Sequence, residues 1–146
     1  ASPHRDRPTN LGGPGPLSGT LHPTMHTLGI HHVSINVDDV EAAERFYCDI
    51  LGLTKLPRPD LGFDGAWLQT GQQQVHLLGK SSGEPLPEHH YAFLISDADD
   101  LLKRLQEHNI TPRSVGEISG VCRQIFVHDP SGNLVEFNQP FVTDAN

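Results

Sequence analysis

The sequence predicts an α+β fold: two βαβββ modules that form a curved mixed sheet with the helices on its outside. Three observations carry that reading. The stretch "HHVSINVDD", from His31, returns in altered form as "HHYAFLISD", from His89. Each copy opens on two histidines, alternates apolar and polar residues, and closes on an Asp able to cap a helix. After each copy comes a stretch of helical period, then three short runs with strand character.

In the first half, Val33, Ile35 and Val37 alternate with His32, Ser34 and Asn36, so one strand face is apolar. Asp38 or Asp39 caps a helix over "VEAAERFYCDIL", and Gly52 ends it. Val40, Ala43, Phe46, Tyr47 and Ile50 form its apolar stripe. Strands follow near Leu53–Leu56, at "GAWLQT" and at "QVHLLG". In the second half Tyr91, Phe93 and Ile95 form one strand face, and His90, Ala92 and Leu94 the other. Asp97 caps the helix "ADDLLKRLQEH" and Asn109 terminates it. Strands are expected near Pro112–Val115, at "CRQIFVH", and at "NLVEF" after the turn "DPSG".

The modules are placed at residues 29–80 and 88–140, within one domain spanning 29–140. Residues 1–28, rich in Gly, Pro, Ser and Thr and without period, read as a tail, and residues 141–146 as a second one. Met25, the only methionine, stands just before the first strand and is one candidate for a natural start. An ordinary N-terminal extension is the other reading.

Aligning the fourth strands sets His76 in "QQVHL" against Glu136 in "NLVEF", as the first strands set His32 against His90. All four alternate with the apolar positions that pack on the helices, so all four project from the helix-free face. If the two halves close into one cup, three histidines and one carboxylate meet inside it. Such a set suits one divalent transition ion, Fe, Mn, Co, Ni or Zn. With no Cys in the set, a structural zinc site is disfavoured. His31 and His89 take surface or structural roles, as do the remaining histidines. Ser34 shares the face of His32 and could hydrogen-bond a substrate. Asn36, Gln69, Arg123 and Gln124 could do so too, their facing being open, and Trp67 is either pocket wall or core.

A net charge of −8 and the lack of any Lys/Arg run make nucleic acid and anionic membranes poor partners. No apolar stretch is long enough to span a bilayer. Cys48 and Cys122 lack CxxC spacing and read as free thiols of a cytoplasmic protein, with a disulfide between them as the other possibility.

"HVSINVDDVEAAERFYCDILGL", "HYAFLI" and "FVHDPSGNLVEF" together resemble the vicinal oxygen chelate superfamily, which includes glyoxalase I, extradiol dioxygenases, fosfomycin resistance transferases and bleomycin resistance proteins. The resemblance implies a glyoxalase-like cup, usually in a homodimer, closed within one chain or across two. It also implies metal ligands on the first and fourth strands of each module, hence His32, His76, His90 and Glu136. Bacterial-type glyoxalase I has Glu where this chain has His76, which changes the charge of the site. Phe126 stands where extradiol dioxygenases and fosfomycin transferases carry Tyr, which disfavours both reactions. The expected activity is that of a metal-dependent lyase or isomerase. It would act on a small substrate with vicinal oxygens through an enediolate, with Glu136 as ligand and general base. The alternatives are a non-haem iron dioxygenase, separable by dioxygen uptake, and a resistance protein that binds a small molecule without turnover.

Overall fold

The structure, a computed structural model, describes residues 25–26, 28–80 and 84–142. The expected tails fall largely outside the described residues. The chain runs β1 (His32–Asn36), α1 (Val40–Glu44), β2 (Thr54–Leu56), β3 (Gly65–Thr70), β4 (Gln73–Leu78), β5 (His90–Leu94), α2 (Ala98–Glu107), β6 (Ser114–Ile118), β7 (Cys122–His128) and β8 (Leu134–Pro140). Each module forms its own four-stranded sheet, in the order β1-β4-β3-β2 and β5-β8-β7-β6. The first strand pairs parallel with the fourth in both, and the other pairings are antiparallel. Ser34 lies opposite His76 and Ala92 opposite Glu136. The internal repeat therefore holds in register as well as in element order.

Both helices start as the aspartates dictate. Asp39 Oδ1 accepts from the Ala42 amide at 2.9 Å, and Asp97 Oδ1 from the Asp100 amide at 3.0 Å. Gln139 Oε1, on β8, takes the Ala98 amide at 2.8 Å and fixes the start of α2 against its own sheet. Gly52 and Asn109 follow the helical segments with φ of 81° and 57°, where glycine and asparagine pay the least strain.

Two expectations need correction. The first helix is α-helical only to Glu44 and continues as a π-helical segment, Arg45–Ile50, in which the Leu51 amide reaches back to Phe46 O at 3.2 Å. Both Phe46 and Tyr47 are buried in that wider turn. The sixth strand lies later than expected, at Ser114–Ile118. All five of its residues are exposed on a sheet edge, so no apolar alternation marked it.

One core joins the modules, with Val37, Phe46, Tyr47, Leu68 and Leu77 from the first and Phe93, Leu105, Ile125 and Phe137 from the second. Tyr47 donates to Asp129 Oδ2 at 2.8 Å across the junction. Burial, with smaller contributions from Tyr91 and the Asp129 carboxylate, holds the Tyr47 pKa well above its ordinary 10.0. Burial also raises that of Tyr91. A folded-state pKa above the unfolded one gives stability that is complete below the unfolded value and is lost as pH rises through the folded value. The two phenols therefore add no pH dependence below about pH 10 and lower the unfolding free energy beyond it. Urea titrations across that range should show a shallower alkaline decline in Tyr47→Phe; an identical decline would rule out this phenol as the cause.

Candidate metal centre

Strand alternation places Val75 and Leu77 in the core and turns His76 to the opposite face of β4. There the His76 ring lies between two others. His32 stacks on it with centroids 4.0 Å apart, and Trp67, its cross-strand neighbour on β3, stacks at 4.9 Å. His76 Nε2 is 2.8 Å from Gln74 Oε1; donation by that N–H leaves Nδ1 with its lone pair. Burial lowers the His76 pKa, and the charges of His32, His31 and Arg58 lower it further. The ring is thus kept neutral, the form that binds a metal. His31, exposed, has its Nδ1 2.8 Å from His32 Nδ1.

The second module builds the equivalent pair. Val135 and Phe137 enter the core and Glu136 faces the other way, although its neighbours leave it only 7% exposed. His90 Nδ1–H donates to Glu88 O at 2.8 Å, which directs the Nε2 lone pair outward. Nε2 stands 3.6 Å from Glu136 Oε2. Gln124 Nε2, on β7, donates to Glu136 Oε1. Phe126 sets its ring edge-on to His90, with centroids 5.3 Å apart.

The four expected ligands are thus drawn together two by two. Among the described residues, no group of three or more His, Cys, Asp or Glu is near enough to hold one ion. The physical reason is the separation of the sheets: each pair stands on its own four strands, and the modules join through the core on the far side.

The other expected site residues divide. Trp67 lies on the histidine face. Ser34 and Asn36 border a cavity of about 540 Å³ that also touches His89, His90 and Tyr91. Gln69 shares the face of Trp67 but is tied back, donating from Nε2 to Gly71 O at 2.8 Å. Gln124 bonds the carboxylate of Glu136. Arg123 leaves the site: it pairs with Asp99 at 3.0 Å at the start of α2. Gln74 was missed, although its position two residues before His76 on the same face was a usable signal.

This arrangement defines a protein with paired imidazole and carboxylate donors on the helix-free faces of repeated βαβββ sheets. The family model of the glyoxalase/bleomycin resistance protein/dioxygenase superfamily matches residues 29–137. Glyoxylase I 4 of Arabidopsis thaliana is 32% identical over 123 residues, covering 77% of this chain and 71% of that protein. A glyoxalase/dioxygenase from Nostoc punctiforme superposes with a TM-score of 0.68 at 24% identity, covering 84% of this chain and 100% of that one. The fosfomycin resistance protein FosX from Listeria monocytogenes, complexed with Mn(II) and dihydroxypropylphosphonic acid, superposes with a TM-score of 0.71 at 15% identity, covering 80% and 95%. The chain belongs to the glyoxalase/bleomycin resistance protein/dioxygenase superfamily. No helix among the described residues is long and apolar enough to cross a membrane.

Proposed function

We propose that the protein is a metal-dependent lyase or isomerase of the glyoxalase-like type, acting on a small substrate with two neighbouring oxygens. Residues 29–140 act as one unit in a homodimer, and each site takes His32 and His76 from one chain and His90 and Glu136 from a second copy. The observation that carries this reading is the pair of two-residue half-sites at equivalent register in the two sheets, each pointing away from the shared core.

The donor chemistry fits a divalent transition ion, Fe, Mn, Co, Ni or Zn. Three imidazoles and one carboxylate are available, with the ring hydrogen bonds of His76 and His90 leaving a lone pair on each. When bound, the ion supplies Lewis-acid polarisation of the two substrate oxygens. Glu136 takes the proton from the carbon beside a carbonyl and delivers it to the carbonyl carbon, while the hydroxyl proton passes to the former carbonyl oxygen. Gln124 holds Oε1, so Oε2 is the oxygen left to move the proton. Trp67 walls the histidine side against water, and the Ser34 hydroxyl is placed to bond a substrate oxygen. The free thiols of Cys48 and Cys122 suit a reducing, cytoplasmic setting.

Complementation tests the shared site. His76→Ala and Glu136→Ala are each expected to be inactive toward hemithioacetals of 2-oxoaldehydes. Unfolded together and refolded as an equal mixture, they should regain about a quarter of the wild-type sites, because half the dimers pair one of each and carry one intact set. If mixing restores neither activity nor metal, assembly across two chains is wrong.

A further inference from the structure

Arg58 sits in the loop between β2 and β3, residues 57–64. Its Nη1 donates to Phe63 O at 3.2 Å, and its Cζ lies 4.9 Å from the centre of the Phe63 ring. Lys80 Nζ lies 4.3 Å from the same ring centre. Arg58 Nε and Nη2 are both shut off from solvent and have no hydrogen-bond partner among the described residues. The other arginines of the described chain, Arg45, Arg104, Arg113 and Arg123, are each paired with a carboxylate. Arg58 has none.

The identity of the two unpaired nitrogens matters. Nε–H and Nη2–H form one edge of the planar guanidinium, the fork that meets two oxygens of a carboxylate or a phosphoryl group in parallel. Buried donors without acceptors are rare, and those of a charged group are costly. An oxyanion with two free oxygens is the partner that removes this cost.

The fork also lies beside the candidate centre. Gly65 opens β3 two residues before Trp67, on the same face, and pairs with Leu78, two residues beyond His76. A Cβ at Gly65 would meet Leu77 O at 2.5 Å, Arg58 Nη2 at 3.0 Å and Arg58 Cζ at 3.1 Å, so the bare glycine leaves room both for the neighbouring strand and for the guanidinium. The loop lies between the strands β2 and β3, and its last residue, Asp64, accepts from the Gly79 amide at 2.9 Å at the end of the β3–β4 ladder.

We propose that Arg58, with Lys80 beside it, binds an anionic group of the substrate, and that the substrate class is a small carboxylate or phosphonate. Its charged end sits on the Arg58 fork while its neighbouring oxygens face the histidine pair. This rests on the histidine–glutamate face being the active site.

The test uses 15N-labelled protein titrated with glycolate, methylphosphonate or uncharged glycolamide at constant ionic strength. Metal content is measured on the same samples of wild type, Arg58→Met and Arg58→Lys. In wild type, the Arg58 Nε–H resonance is expected to shift with glycolate or methylphosphonate and not with glycolamide. The anion that binds tighter identifies the carboxylate or the phosphonate as the group recognised. Arg58→Met should weaken that anion by about tenfold or more, and Arg58→Lys should restore only part, because an ammonium has no fork. Metal content should be equal in all three proteins. Equal anion affinity in wild type and Arg58→Met, or no Nε–H shift, overturns the assignment and leaves the metal reading standing. Arg58-dependent anion binding in protein that takes up no metal even on reconstitution retains the anion site and removes the metal reading. If Arg58→Met fails to fold, Arg58→Lys and the wild-type resonance decide.

Discussion

Glu136→Ala and His76→Ala are each expected to lower metal affinity more than about a hundredfold, since even residues that only orient a ligand are worth about 10- to 100-fold. Wild-type protein purified without chelator should carry about one transition ion per chain, as a site shared symmetrically by two chains requires. Glu136 is the only carboxylate of the proposed set, so its loss removes the one anionic ligand. The loss of His76 removes the ring sandwiched between His32 and Trp67 and lets water into that half of the site. His108→Ala is the control, because its Nδ1 donates to Arg104 O at the end of α2 and faces no other proposed ligand. Glu136→Gln separates binding from catalysis: if it keeps some metal on reconstitution, turnover per bound ion should still fall on the order of 10²–10⁴-fold through loss of the base. Mass spectrometry for metal, beside hemithioacetal isomerisation rates, reads both effects. Wild-type metal content in the Glu136→Ala and His76→Ala proteins would refute this ligand set.

The fold was legible because the two physical periods were clean. Val33, Ile35 and Val37 and their counterparts Tyr91, Phe93 and Ile95 mark half-buried strands, and Asp39 and Asp97 cap as read. The same alternation told which way His32, His76, His90 and Glu136 face. It could not tell whether two sheets meet within a chain, because facing is local and the meeting of sheets depends on packing between modules. The π-helical turn was illegible for a related reason: the stripe at Phe46, Tyr47 and Ile50 fits either helical period. β6 has no buried face to leave a pattern. Arg58 escaped notice because its position is set by Phe63, Gly65 and a loop conformation, none of which has a period. Arg123, a strand residue beside Gln124, could not be assigned until β7 was registered against β8, which turned Gln124 toward Glu136 and Arg123 toward α2.

Asp129→Ala is expected to be the most destabilising polar substitution among the described residues, by about 3–5 kcal/mol, since four donors lose their acceptor at about 1 kcal/mol or more each. Asp129 is 4% exposed. Its Oδ1 accepts from the amides of Ser131 and Asn133, and its Oδ2 from Tyr47 Oη and Asn133 Nδ2, all between 2.8 and 2.9 Å. Alanine leaves all four donors without that acceptor. Two of the residues so placed also bridge the modules, Ser131 Oγ accepting from the Asp38 amide and Asn133 Nδ2 donating to Asn36 O, both at 3.0 Å. The carboxylate therefore shapes the "DPSGN" turn and ties β1 to the second module. Asp129→Asn keeps an acceptor for the two amides but turns an amide group toward Tyr47 and Asn133, so about 1–2 kcal/mol should be lost. Tyr47→Phe removes one bond, for about 1 kcal/mol at neutral pH. Urea denaturation of the three variants should give the order Asp129→Ala, Asp129→Asn, Tyr47→Phe. Asp129→Ala no worse than Tyr47→Phe would show that the turn holds its shape without the carboxylate. If the network does hold the modules, Asp129→Ala protein that remains folded should also bind metal less tightly, because His32 stands on the strand this network anchors.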